Sequence, residues 1–138
     1  MADNWNDTVI AEFRANEGRV GGNFEGRTLL LLHHTGAKSG TERVNPLAYQ
    51  RLSDDSVAIF ASQGGAPTTP DWFYNVVAHP DVEVEIGTES YSAHARVAEG
   101  AEREAIWEQQ KIDWPVFAEY ETTTEGIREI PVVVLDKA

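Results

Sequence analysis

The pattern of apolar and polar positions in the first half of the chain predicts three consecutive β-strands. The segment from Arg27 to His34 has a continuous apolar centre, which is typical of a strand covered on both faces. Strand-forming residues resume from Thr41 to Arg51, and a third apolar segment runs from Ser56 to Ser62. Because only short turns separate the three segments, they predict an antiparallel meander.

In the second half of the chain, helical periodicity alternates with strand periodicity. A helix is predicted from about Asp71, because Trp72 and Val76 recur at helical spacing, and the pair His79-Pro80 should end it. The other predicted elements are a hairpin of Val82 to Ile86 and Tyr91 to Val97, a surface helix from Ala101 to Lys111, a short helical turn from Trp114 to Tyr120 and a last strand from Ile130 to Leu135.

This order of elements predicts a mainly β (α+β) fold: a small antiparallel barrel of about six to seven strands with helices packed on its outside. Ahead of the barrel, Asn6 or Asp7 can cap a short helix, and several glycines then make a flexible connection. We therefore expect residues 1–25 to form an N-terminal helix with a flexible connection, and residues 26–138 to form the barrel domain.

Composition sets limits on the kind of protein this is. Hydrophobic residues make up 41% of the chain and charged residues 25%, as expected for a globular domain. The absence of cysteine excludes disulfides, thiol catalysis and cysteine metal sites. Since the N-terminus is polar and acidic and no apolar stretch has the length of a membrane span, we expect a cytoplasmic protein with no integral membrane segment.

The net charge is strongly negative and unevenly distributed. A formal charge of −12 argues against nucleic acid as a partner. Residues 1–51 carry as many basic as acidic side chains, so the whole excess lies in residues 52–138. An anionic ligand would therefore be tolerated by the first third of the chain, where Arg14 and Arg19 are further candidates for contact with it.

The turn between the first two predicted strands, from Gly36 to Gly40, combines two glycines with Lys38 and Ser39. Exposed backbone N–H groups, an ammonium and a hydroxyl are the groups that bind a phosphate, and Arg43 can add a bidentate contact. The spacing fits neither a Walker loop nor a nucleophile elbow. On spacing alone, a solvated polar turn is an equally good interpretation.

The histidine pair His33-His34 does not predict a metal site. Neighbouring residues of a strand point to opposite faces, so one ion cannot be bound by both, and we expect one histidine inside the protein and the other at solvent or a ligand. The carboxylates of Glu83, Glu85 and Glu89 alternate along a predicted hairpin, which favours a solvated outer face.

A second glycine-containing loop, from Ser62 to Ala66, follows the third predicted strand. It should leave backbone amides exposed at a strand end, and Trp72 and Asn75, one helical turn apart, should lie beside it. Backbone amides and one aromatic wall suit a planar heterocycle with carbonyl oxygens, such as a flavin. Helical periodicity alone favours Trp72 as an ordinary core residue.

Three blocks of the sequence share a known pattern: LLLLHHTGAKSGTERVNPLAY, FASQGGAPTTPDWFYNVVAHPDVEVEI and IPVVVL. Together they resemble the deazaflavin-dependent nitroreductase family of coenzyme F420-dependent quinone and nitro reductases, in the family's order and spacing from about Gly26 onward. The resemblance implies a split β-barrel related to the FMN-binding barrels. It also implies coenzyme F420, an 8-hydroxy-5-deazaflavin with a phosphodiester-linked tail, as the cofactor.

The resemblance further implies which residues bind the coenzyme. The phosphate and tail would be held by Lys38, Ser39, Gly40 and Arg43. The deazaflavin would be bound by Pro46, Ala61, Ser62, Gln63, Gly64, Gly65, Trp72 and Asn75.

Two positions depart from the family's pattern. Gln63 stands where the family often has a lysine, and Ala48 stands where a well-known nitro-drug reducer has a tyrosine. The coenzyme interpretation is compatible with both departures, but reduction of nitro compounds does not follow from it.

The reaction implied by the resemblance is hydride transfer from the reduced deazaflavin to a quinone, a nitroaromatic compound or an activated enone. Ser62 and Tyr120 are the hydroxyl-bearing residues expected near the acceptor. The alternatives are an FMN-binding split-barrel oxidoreductase and a coenzyme-binding carrier without catalysis. A homodimer, and contact with a membrane surface during the use of quinones, are further expectations.

Overall fold

The computed structural model describes residues 5–15 and 29–138, and the described part contains a closed barrel of six antiparallel strands. The strands lie in the order β1-β2-β3-β6-β5-β4 around the barrel. Their bounds are Leu29–Thr35 (β1), Glu42–Ser53 (β2), Ser56–Phe60 (β3), Asp81–Ile86 (β4), Glu89–Val97 (β5) and Val132–Lys137 (β6). The helices are Trp5–Ala15 (α1), Asp71–Ala78 (α2), Gly100–Asp113 (α3) and Val116–Thr124 (α4), and a single 3-10 turn spans Gln63–Gly65.

The topology confirms the predicted fold class and the predicted meander. β1 pairs with β2 and β2 with β3, both antiparallel, and the hairpin β4-β5 closes the barrel against β1 and β6. The last strand of the chain lies between β3 and β5, so the barrel is completed only when the C-terminal segment pairs. α2 begins at Asp71 and ends before His79, as predicted.

The continuous apolar run of β1 has a direct explanation in the packing. Leu30 and Leu32 belong to the cluster that fills the barrel interior, whereas Leu29 and Leu31 belong to a separate cluster beneath α1. All four side chains are at most 5% exposed. β1 is therefore covered on both faces, as its sequence predicted.

Two helical layers cover the outside of the barrel. α1 contributes Val9 and Phe13, which pack on the outer side of β1. α3 and α4 contribute Trp107 and Phe117, which pack on the outer side of β3 together with Phe60. The rings of Phe60 and Phe117 meet edge to face with centroids 5.4 Å apart, a favourable aromatic geometry.

Two helix boundaries differ from the prediction. α4 continues to Thr124, well beyond the predicted end at Tyr120. Threonine is a poor helix former, yet Thr122 and Thr124 donate hydroxyl hydrogen bonds to carbonyls one turn back, and Thr124 is only 2% exposed. α1 already includes Asn6, so that residue lies inside the helix rather than at its cap.

The acidic hairpin is only partly solvated, which corrects the prediction for Glu85. Glu83 and Glu89 are exposed, but the carboxylate of Glu85 accepts hydrogen bonds from Arg14 of α1 at 2.8 Å and bonds His33 Nε2 at 2.5 Å. The Arg14 guanidinium holds the pKa of Glu85 below its usual range. Arg14 therefore ties α1 to the barrel, and its contact with an anionic ligand stays a prediction.

Several predicted features lie outside the described residues. These include Arg19, the glycines of the connection before β1, and the first residues of the predicted strand at Arg27. Within residues 5–15 and 29–138, no helix is long and apolar enough to cross a membrane.

Candidate active site

A hollow of about 260 Å³ lies between the outer face of β1-β2-β3 and the helix α4. Residues of the cluster beneath α1 and of the α3-α4 cluster meet at its walls, together with the loop that follows β3. It is mainly apolar and aromatic, with a few polar groups, which is the usual chemistry of a small-molecule site. The lining residues are Leu29, Pro46, Leu47, Ala48, Phe60, Ser62, Gln63, Trp72, Trp114, Phe117 and Tyr120.

Ser62 and Tyr120, which both carry hydroxyl groups, line this hollow from different elements. Ser62 follows β3, whereas Tyr120 lies on α4, where its ring packs edge-on against Phe117 with centroids 5.2 Å apart. Neither hydroxyl has a hydrogen-bond partner among the described residues. Both groups are therefore available to a ligand in the hollow.

The loop Ser62–Ala66 at the floor of the hollow has an unusual backbone. Gln63 has φ of 47°, the only positive φ of a non-glycine residue in the described part of the chain. Left-handed backbone at such a residue costs free energy and is concentrated at functional sites, where the surroundings hold it in place. Gly65 has φ of +83°, and an added Cβ there would lie 2.6 Å from Thr123 Oγ1 and 3.0 Å from Tyr120 Cδ1. The loop is therefore packed directly against α4.

Arg128, between α4 and β6, holds this loop by its carbonyl groups. Its guanidinium donates to the carbonyl oxygens of Ala61 at 3.1 Å, Ser62 at 3.0 Å and Ala66 at 3.0 Å and 3.1 Å. Burial lowers the pKa of Arg128 below its ordinary value, although the side chain stays charged at neutral pH. No sequence pattern pointed to Arg128, because its partners lie more than sixty residues away in the chain.

The turn Gly36–Gly40 uses most of its own backbone donors. Gly36 donates to the carbonyl of Thr41 at 2.8 Å, and Gly40 donates to the carbonyl of Gly36 at 3.0 Å. The Oγ of Ser39 accepts from the Thr41 amide at 3.2 Å. This corrects the expectation of a turn with generally exposed N–H groups: only the amides of Lys38 and Ser39 have no partner among the described residues.

Two cations at this turn have no ion-pair partner in the described part of the chain. Lys38 lies at the exposed tip, and Arg43 is the second residue of β2, paired in register with His34. Since most carboxylates of the protein lie elsewhere in the sequence, an anion would meet net positive charge here.

A chain of buried and partly buried hydrogen bonds fixes the turn to the end of the barrel. The Ala37 amide donates to Asn75 Oδ1 at 2.9 Å, Asn75 Nδ2 meets His34 Nδ1 at 3.1 Å, and His34 Nε2 meets Asn45 Oδ1 at 2.7 Å. Burial lowers the pKa of His34, so the ring is neutral at pH 7. A neutral ring with its proton on Nε2 satisfies both contacts. His34 is thus the internal histidine, and His33 is the partly exposed one, as expected.

The comparisons with known proteins agree on one family. The sequence profile of the F420H(2)-dependent quinone reductase family matches residues 5–137. The chain belongs to this family. An F420H(2)-dependent quinone reductase of Mycobacterium tuberculosis strain H37Rv is 34% identical over 131 residues, which cover 92% of this chain and 86% of that protein.

Two solved structures support the assignment of this chain to the F420H(2)-dependent quinone reductase family. The structure of an F420-H2-dependent reductase, FDR-A, is 39% identical, with a TM-score of 0.70 over 78% of this chain and 93% of the other. A second structure, of a domain-swapped dimer, is 34% identical, with a TM-score of 0.72 over 92% of this chain and 94% of the other.

The structure separates the predicted site residues of this F420H(2)-dependent quinone reductase family member into groups. Ala61 and Asn75 are engaged inside the protein: Ala61 is fully buried in the barrel interior, and both polar atoms of the Asn75 side chain have protein partners. Trp72 is both a core residue and a wall of the hollow, so the two interpretations of this tryptophan are compatible. The residues brought together in the hollow are Pro46, Ser62, Gln63, Trp72 and Tyr120; those at the turn are Lys38, Ser39, Gly40 and Arg43; Gly64 and Gly65 form the loop beneath the hollow.

Sequence reasoning placed Tyr120 near the acceptor but missed Trp114 and Phe117, the rest of the aromatic wall of the hollow. Trp114, Phe117 and Tyr120 are spaced three residues apart, a spacing that places side chains on one face of a helix. The predicted helical turn from Trp114 to Tyr120 contained all three residues, but their common spacing was not interpreted as the wall of a site.

The described residues fit a coenzyme that has a flat ring system and an anionic tail. The hollow offers aromatic walls, two unpaired hydroxyls and the partner-free amides of Ser62 and Gln63, whereas the turn offers Lys38 and Arg43. α2 contacts both regions, since Trp72 lines the hollow and Asn75 holds the turn.

Proposed function

We propose that this protein is a reductase that uses reduced coenzyme F420 to convert quinones to hydroquinones. The observation that carries the proposal is the hollow, which the hydroxyl-bearing residues Ser62 and Tyr120 line together with Pro46 and Trp72. Membership of the F420H(2)-dependent quinone reductase family supports it. The proposal extends to the deazaflavin ring in this hollow and the coenzyme phosphate at Lys38 and Arg43.

When bound, reduced F420 would supply a hydride, and the one proton that completes the hydroquinone is balanced by the proton that the coenzyme loses on oxidation. The chain's own contribution is to align the acceptor and to stabilise the negative charge that develops on its oxygen. The hydroxyls of Ser62 and Tyr120 can donate hydrogen bonds to that oxygen. The apolar wall of Phe60, Trp114 and Phe117 limits the access of water to the hollow.

The hydroxyl roles are tested by Ser62→Ala and Tyr120→Phe in steady-state assays with menadione. Loss of one charge-stabilising donor lowers kcat by about a hundredfold or more in strong cases, and we expect about ten- to a hundredfold for these neutral hydroxyls. Tyr91→Phe is the matched control, because Tyr91 is a half-buried tyrosine of β5 away from the hollow. Unchanged kcat in both site variants would remove Ser62 and Tyr120 from the chemistry.

The identity of the coenzyme is tested by fluorescence titration with F420 and with FMN. The proposal requires tighter binding of F420, because the unpaired cations at the turn suit its phosphodiester tail. Tighter binding of FMN would support the alternative, an FMN-dependent oxidoreductase. Binding of F420 without turnover of any acceptor would support a carrier.

Nitroaromatic compounds and activated enones are part of the proposed acceptor range. The small side chain of Ala48 in the wall of the hollow leaves room for acceptors of more than one shape. Parallel assays with menadione, a nitroimidazole and a cyclic enone rank the acceptors. Turnover of the nitroimidazole alone would overturn the assignment of quinones as the principal class.

We also propose that the protein forms a homodimer, as the 34% identical protein does in its domain-swapped structure. Sedimentation velocity at several protein concentrations measures the mass in solution. A single species with the mass of one chain at every concentration would contradict the proposal.

A further inference from the structure

The loop Ser62–Ala66 raises a question that the proposed reaction leaves open, namely what keeps it in its strained shape. The Gln63 backbone is left-handed at φ 47°, and among the described residues the short turn is closed by two backbone bonds, from Gly65 to the Ser62 carbonyl and from Ala66 to the Gln63 carbonyl. A strained backbone conformation persists only when several contacts with the surrounding structure hold it in place.

Two side chains outside the loop provide such contacts. Arg128 makes four hydrogen bonds to three carbonyl oxygens, those of Ala61, Ser62 and Ala66, which lie on both sides of Gln63. Thr123 donates to the Gly65 carbonyl at 3.1 Å. Together they occupy the carbonyl groups at both ends of the turn.

Among the described residues, the backbone amides at the start of the same loop are left free for a ligand. With the carbonyl groups bound by Arg128 and Thr123, the amide groups of Ser62 and Gln63 remain without partners in the described part of the chain. The carbonyl groups of Ser62, Gln63, Gly65 and Ala66 are engaged, whereas the first two amides of the loop are not, so the loop is prepared for a ligand that presents carbonyl oxygens. The planar guanidinium of Arg128 is suited to binding several carbonyl groups at once, because its donors form a rigid fork that a lysine ammonium cannot reproduce.

We propose that Arg128 is a positioning residue of the coenzyme site: it fixes the Ser62–Ala66 loop so that the Ser62 and Gln63 amides meet the carbonyl edge of the bound ring. This assignment rests on the proposed function, since the ring is that of coenzyme F420. Arg128 itself does not line the hollow, so it acts only through the loop.

The test compares Arg128→Ala and Arg128→Lys with Arg96→Ala. Arg96 is a matched control because its guanidinium also makes several charged hydrogen bonds, to Glu102 and Asp136, but on the surface of β5 and β6 away from the hollow. Displacing a positioning group by about 1 Å can lower a rate by about a hundredfold. We therefore expect Arg128→Ala to weaken F420 binding by about ten- to a hundredfold, Arg128→Lys to fall between, and Arg96→Ala to bind normally.

Two further readouts distinguish positioning from a general loss of stability. In the protein without coenzyme, hydrogen exchange at the Gly65 and Ala66 amides should accelerate in Arg128→Ala and not in Arg96→Ala. Added guanidinium ion at low millimolar concentration should restore part of the F420 affinity of Arg128→Ala. A folded Arg128→Ala protein with accelerated exchange but normal F420 affinity would overturn the assignment, as would unchanged exchange. Failure of the unaltered protein to bind F420 would instead refute the proposed function itself.

Discussion

The close approach of α4 to the Ser62–Ala66 loop can be tested at a single glycine. Gly65→Ala places a methyl group where Thr123 Oγ1 and Tyr120 Cδ1 already lie, at 2.6 Å and 3.0 Å from the added carbon. Gly100→Ala is the matched control, because Gly100 also has a positive φ, +59°, and its added Cβ meets no atom within 4 Å. The two substitutions share the backbone strain and differ in the contact.

The expected magnitudes follow from these two terms. Left-handed backbone costs a non-glycine residue about 1–2 kcal/mol, and the reduced entropy of the unfolded chain returns about 0.4–1 kcal/mol. Gly100→Ala should therefore destabilise the protein by about 1 kcal/mol. Gly65→Ala should cost about 1–3 kcal/mol more, the usual range for overpacking, because Thr123 must move and its hydrogen bond to the Gly65 carbonyl is lost.

Urea denaturation measures both variants, with an unchanged slope required for a simple comparison. The double variant Gly65→Ala/Thr123→Ala should recover part of the excess loss, because it removes the nearer of the two clashing atoms. Since Tyr120 lines the hollow, Gly65→Ala should also weaken ligand binding, whereas Gly100→Ala should not. Equal losses of stability in the two glycine variants would show that α4 does not approach the loop as described.

Three other outcomes are expected. Arg14 lowers the pKa of Glu85 in the folded protein below the unfolded value near 4.5. The Arg14–Glu85 ion pair therefore stabilises the folded protein fully above that pH, and this stabilisation is lost as the pH falls through the folded-state pKa. Glu85→Gln should thus destabilise at pH 7 and progressively less as the pH is lowered below 4.5, and Glu89→Gln should have little effect throughout; a pH-independent loss would contradict the ion pair. NMR titration of His34 should give a pKa below 6.5 with the proton on Nε2, since burial disfavours the charged ring; a pKa above 6.5 would refute the buried network. Lys38→Ala should weaken F420 binding by up to about fivefold, as an exposed charge contact is worth about 1 kcal/mol or less, with Lys137→Ala as control; equal affinities would place the phosphate elsewhere.

The barrel was largely predictable because its signals are local. Alternation and apolar runs define strands, and short turns force neighbouring strands to pair, so the meander and the class followed from the sequence. The coverage of β1 on both faces followed from the four leucines Leu29 to Leu32. The extension of α4 did not, because threonines with low helix propensity are held there by hydroxyl bonds and by burial of Thr124.

The candidate site was predictable only where a residue type carries its own chemistry. The cations of the turn and the tyrosine and serine of the hollow could be named from the sequence and the family resemblance. Their partners could not: Arg128 binds carbonyl groups, which every residue has, and Arg14 finds Glu85 across 71 positions of the chain. Long-range pairs of this kind depend on the closed barrel and leave no periodic trace in the sequence.

The most direct test of the proposed function is turnover of reduced F420 with menadione under anaerobic conditions, followed by the recovery of coenzyme fluorescence on oxidation. The proposal predicts many turnovers per protein molecule, formation of one menadiol for each F420H2 oxidised, and a large loss of rate in Ser62→Ala. Oxidation no faster than the protein-free reaction, at a coenzyme concentration that saturates binding, would contradict it.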